Sequence, residues 1–109
     1  MAIDETLAER VREILVRKRG TEEKRMFGGL AFMVDGHMCV GIIQDELMVR
    51  VGPDAYDSAI KLKHARPMDF TGKPMKGMLY VAPAGLKTKA ALGKWIDRGL
   101  AFVKTLPPK

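Results

Sequence analysis

The stretch from residue 26 to 51, MFGGLAFMVDGHMCVGIIQDELMVRV, constrains the fold more than any other part of the chain. Its apolar runs are punctuated by a Gly-Gly pair, by Asp35-Gly36 and by Gln44-Asp45-Glu46, which is the pattern of a β-meander. Asp35-Gly36 is the sharpest signal, because a two-residue type I′ turn needs positive φ at both central residues and Asp then Gly supplies it at low steric cost. Such a turn sets Val34 opposite His37 and Phe32 opposite Cys39. Alternation then puts Leu30, Phe32, Val34, Cys39, Gly41 and Ile43 on one face, and Ala31, Met33, Met38, Val40 and Ile42 on the other. A sheet with one face in water alternates apolar with polar, yet both faces here are apolar at the centre. Each face is therefore expected to be covered, either by helices on both sides or by a second copy of the chain, and a homodimer is the preferred reading.

Helical patterns flank the meander. Ile3, Leu7, Val11, Ile14 and Leu15 form an amphipathic stripe over residues 3–18. Asp4 and Glu5 stand at its start and Arg17, Lys18 and Arg19 at its end, so both clusters complement the helix dipole, and Gly20 stops it. That role explains the basic run at 17–25 better than a nucleic-acid patch does. Gly52-Pro53-Asp54 breaks the last meander strand and opens a short helix over residues 54–62, with Tyr56, Ala59 and Ile60 inward. HARPMDF at 64–70 reads as extended, and Pro67 removes a ladder donor, which suits an edge strand. TGKPMKG at 71–77 is turn-rich, and MLYVA at 78–82 is a further strand ended by Pro83 and Gly85. From an N-cap at Thr88 to about Leu106, Leu92, Trp95, Ile96, Gly99, Leu100, Val103 and Leu106 share one helical face, which makes Trp95 a core anchor. The order predicts an α+β fold: a two-layer sandwich with an antiparallel sheet of five to six strands, helices at both chain ends and one between strands. At 109 residues the expectation is a single domain, 1–109.

Charge and cysteine usage narrow the function. The formal net charge is +6, but it comes from scattered residues, so weak nucleic-acid binding by a basic surface is an alternative reading rather than the leading one. The N-terminus is acidic where a secretory signal is basic, and no apolar stretch is long enough for a bilayer, so a cytoplasmic protein without membrane attachment is expected. Cys39 is alone, which excludes an internal disulfide and a multi-cysteine zinc site, and it reads as a small buried hydrophobe. Cys39 with His37 or His64 is the one thiol and imidazole set on offer. A small enzyme using Cys39 is the least favoured reading, since residues two apart on a strand hold their α-carbons about 6 to 7 Å apart. The histidines and carboxylates fall in no usual ligand spacing, and residues 72–77 lack the Gly-Lys-Ser/Thr ending of a phosphate loop. No catalytic, cofactor-binding or metal residue is expected. Arg50, Arg66, Lys73, Met75 and Lys76 are the candidates for contact with a protein partner or nucleic acid, and Met48 and Met75 are the methionines expected to be exposed.

Arg25-Met26-Phe27-Gly28-Gly29, Asp35-Gly36 followed by Met38-Cys39, Leu47 to Arg50, the run Arg66 to Gly77, and Tyr80-Val81 together resemble the N-terminal domain of the TfoX/Sxy proteins over nearly the whole chain. The resemblance implies an α+β fold like that of type III secretion chaperones. It also implies a bacterial regulatory role associated with natural competence, in which Sxy acts with the cyclic-AMP receptor protein at promoters. It supplies no catalytic residues. The competence regulators carry a second, C-terminal domain, whereas this sequence spans only the first, so the expectation is a stand-alone non-enzymatic regulatory or adaptor domain that works through protein contact.

Overall fold

A computed structural model describes residues 3–16, 18, 20–26, 28–67 and 77–107. The elements run α1 (Glu5–Leu15), β1 (Thr21–Met26), β2 (Gly29–Val34), β3 (His37–Ile43), β4 (Glu46–Arg50), α2 (Pro53–Ala59), β5 (Ala65–Pro67), β6 (Met78–Val81), a 3-10 turn at Pro83–Gly85, and α3 (Lys89–Val103). This is the α+β arrangement expected, with six antiparallel strands in the spatial order β1-β2-β3-β4-β6-β5. β5 is an edge strand, which lets Pro67 lack its N–H without breaking an interior ladder.

Local chemistry sets the element ends. The Leu7 N–H donates to Asp4 Oδ1 at 3.0 Å and the Ala91 N–H donates to Thr88 Oγ1 at 3.0 Å, so a side chain satisfies an orphan donor at the start of both long helices. Replacing the second cap, Thr88→Ala, is expected to lower unfolding free energy by about 1 kcal/mol in a urea titration, with an unchanged m-value. α1 is shorter than its apolar stripe because Ile3 is drawn out to bridge Gln44 in parallel, with the Asp4 N–H donating to Gln44 O at 2.7 Å. At its other end the Thr21 hydroxyl donates to Lys18 O at 2.8 Å as the chain turns into β1. α2 ends at Ala59, ahead of the expected residue 62, in a run of turns that passes through His64 at φ +74°.

The Asp35-Gly36 turn has the expected positive φ at both residues, 53° and 84°, and Val34 pairs with His37. The register beyond it differs from expectation. Met33 pairs with Met38, but Phe32 pairs with Val40, so Cys39 is the extra residue of a β-bulge. Val40 and Ile42 therefore join Leu30 and Phe32, while Gly41 and Ile43 move to the face of Ala31 and Met33. Residues 38 to 43 are nearly all apolar, so alternation carried no mark of the slip.

All three helices add to one cluster on the first of these faces. Leu7, Val11 and Leu15 of α1, Ala59 of α2, and Leu92, Trp95, Ile96 and Val103 of α3 are buried with Phe32, Val40, Ile42, Leu47, Val49, Leu79 and Val81. Gly99 makes the fit of α3 to the sheet close: a Cβ there would stand 2.8 Å from Cys39 O, 2.9 Å from its Sγ and 3.3 Å from Val40 Cγ1. The bulge and the glycine occupy the same contact.

Candidate functional site

No helix of the described residues lies on the second face of the sheet. Across it run Lys24, Ala31, Gly41, Met48, Tyr80 and Arg66, each paired with the next from β1 to β5. Met33, Met38, Ile43 and Met78 stand beside this row and are half-buried. Ala31 and Gly41 are small, and the methionines fill the space they leave: a Cβ at Gly41 would meet Met48 Cε at 2.6 Å and Met38 Cε at 3.1 Å. Met48 is consequently only 1% exposed, which corrects the expectation that it is an open contact residue. The exposed part of the face is a band of Met33, Met38, Ile43, Met78 and Tyr80.

Charged residues border this band on both sides. Glu22 and Lys24 of β1 edge it on one side. On the other, Arg66 reaches over β6 to Glu46 of β4, its Nε donating to Glu46 Oε2 at 3.0 Å and its Nη2 donating to the second carboxylate oxygen, while its guanidinium lies 4.5 Å from the Tyr80 ring centroid. Three strands are thereby clamped at their surface. Both borders carry one charge of each sign.

Of the contact residues inferred from sequence, the two that are described, Arg50 and Arg66, meet different partners. Arg66 is occupied by Glu46 and Tyr80, and Arg50 stands over the Phe102 ring of α3 at 5.1 Å from its centroid. Lys73, Met75 and Lys76 lie outside the described residues. Alternation could show that both faces are apolar at the centre, but Glu46, distant from Arg66 in sequence, carried no signal of the clamp.

Cys39 is sealed in the core. It is fully buried beneath Gly99, and burial pushes its thiol up from an ordinary 9.0 to about 12, with Lys18 opposing that rise through its charge. A small enzyme using Cys39 as nucleophile therefore lacks both access and a thiolate at neutral pH. His37, the imidazole nearest in sequence, has Nε2 2.6 Å from the carbonyl oxygen of Pro107. A folded thiol held protonated stabilises the fold fully below its ordinary pKa of 9.0, and that contribution drains away as pH rises from 9 towards 12. Native protein is expected to resist iodoacetamide at pH 8 and to react at once in denaturant; rapid labelling of the native state would contradict the sealed position.

Elsewhere, Arg12 on α1 donates from Nε and Nη2 to the two carboxylate oxygens of Glu23 on β1, at 2.7 and 2.8 Å, and this pairing holds Glu23 below the usual carboxylate range. Among the described residues no group of three or more His, Cys, Asp or Glu is placed to hold a metal ion, and no helix is long and apolar enough to cross a membrane. The family model of the TfoX N-terminal domain matches residues 13–103. No curated protein and no solved structure matches the chain.

Proposed function

The chain belongs to the TfoX N-terminal domain family, and on that premise we propose that it is a non-enzymatic regulatory or adaptor domain that acts through protein contact, with the helix-free face of its sheet as the contact and a second copy of itself as partner. The observation that carries this reading is the band of Met33, Met38, Ile43, Met78 and Tyr80 on a face that no helix of the described residues covers. A two-fold pairing of identical faces suits the borders, because each holds a carboxylate and a cation and so meets its counterpart without net repulsion. Thioethers adapt to one another at such a surface better than branched side chains do. The regulatory act that follows is recruitment, in keeping with a role for the family in transcriptional regulation, in which one face joins two copies and other surfaces meet the regulated partner.

Sedimentation at micromolar concentration tests the pairing. The expected result is a dimer that Met33→Glu combined with Ile43→Glu converts to a monomer, weakening association about 100-fold, because each copy then buries two carboxylates with no counter-charge. Thermal unfolding of the variant monomer should remain cooperative. A wild-type protein that sediments as a monomer under these conditions removes the proposal.

A further inference from the structure

A second surface lies on the helical side of the molecule, between α2 and the C-terminal half of α3. It is a groove of about 420 Å³ bounded by Val51, Pro53 and Ala55 along one wall and by Ala101, Phe102 and Thr105 along the other. Ala55 and Ala101 are exposed alanines, so the walls are apolar without filling the space between them. The position of Phe102 is fixed from behind. Gly52 sits at φ +83°, and any Cβ there would fall into the Phe102 ring.

The charges around the groove are unevenly matched. Arg98 lines it, its guanidinium carbon over Trp95 at 5.3 Å from the ring centroid, while Arg50, outside the lining, lies over Phe102 at 5.1 Å. Neither guanidinium forms an ion pair with a carboxylate of the described residues, in contrast to Arg12, which pairs with Glu9 and Glu23, and Arg66, which pairs with Glu46. A guanidinium without an ion-pair partner offers its N–H groups in the planar fork that a carboxylate accepts. Asp54 is the one carboxylate in the groove wall, and it stands on α2, opposite Arg98 on α3. It repels an incoming anion from its own side and so fixes the direction in which a charged ligand lies.

We infer that this groove docks a peptide that sets an aromatic or aliphatic side chain beside a carboxylate, the apolar group seated between Ala55, Ala101 and Phe102 and the carboxylate turned towards Arg98. An acidic segment of a partner protein has this chemistry. The site is separate from the helix-free sheet face, so it neither depends on self-association nor is lost with it.

A fluorescently labelled short peptide with an Asp-Asp-Phe-Leu core, read by anisotropy against the full chain, tests the inference alongside its Asn-Asn-Phe-Leu counterpart. Saturable binding of the acidic peptide is expected, weakened about tenfold or more by the two Asn replacements and equally by Arg98→Glu. Ala101→Trp, at an exposed position, should abolish it by filling the groove while leaving the unfolding midpoint near that of the wild type. Absence of saturable binding overturns the inference, as does binding that ignores Arg98→Glu or Ala101→Trp. If Ala101→Trp instead disrupts self-association in sedimentation, the groove is an interface between copies and the peptide assignment is wrong. A sheet-face variant that is monomeric yet still binds the peptide supports the groove and leaves the sheet proposal to be judged on its own.

Discussion

Gly99→Leu is expected to lower unfolding free energy by about 3 kcal/mol and the thermal midpoint by roughly 12 °C or more, whereas Gly93→Ala in the same helix raises stability by about 0.5 to 1 kcal/mol. The two glycines lie six positions apart on α3 and look alike in the sequence. Around Gly93 nothing stands within 4 Å of where a Cβ would be, so alanine there removes only the conformational entropy of a helical glycine. Around Gly99 the nearest atoms are the carbonyl oxygen and sulfur of Cys39, 2.8 and 2.9 Å away. The carbonyl belongs to the bulge, which cannot retreat without breaking the pairing of β2 with β3, so α3 must lift instead. Urea titration with intrinsic Trp95 fluorescence reads both effects. Equal destabilisation by the two substitutions would show that α3 does not seat on the bulge.

Phe32→Ala is expected to cost about 3 to 5 kcal/mol, enough to leave much of the protein unfolded at 37 °C, while Met33→Ala, one residue on, costs about 1 kcal/mol or less in the monomer. Phe32 is among the largest fully buried side chains and stands at the centre of the helix-covered face, where truncation leaves a cavity the close-packed helices cannot close. Met33 points the opposite way and is half-buried on the helix-free face. The contrast within one dipeptide measures the two faces of the sheet separately. If self-association occurs, Met33→Ala should act chiefly on the dimer equilibrium, as a concentration-dependent change in midpoint that Phe32→Ala does not mimic. Comparable losses at the two positions would mean that the second face is as deeply packed as the first.

Much of the fold was legible in the residues because the deciding interactions are local. Asp35-Gly36 demanded its turn through backbone sterics, and Thr88 offered a cap to the orphan N–H three residues on. Pro67 placed its own strand at an edge, and the spacing of Leu92, Ile96 and Val103 showed which side of α3 faces inward. The candidate surface was half legible: the central apolar character of both faces could be read, since strand alternation is a property of consecutive residues.

What the sequence determined by itself was therefore the kind and order of most elements, fixed by turn chemistry, capping and periodicity within a few residues; β1 (Thr21–Met26), in the basic run assigned to the helix end, was not among them. The tertiary structure alone decided the register past Cys39, the burial of Met48 over Gly41, the clamp of Arg66 on Glu46 and Tyr80, and which of the two faces the helices cover. The physical reason is the same in each case. A run such as Cys39 to Ile43 is compatible with either register by polarity, and the choice falls to whichever brings the sheet against Gly99 of α3, sixty residues away from Cys39 along the chain.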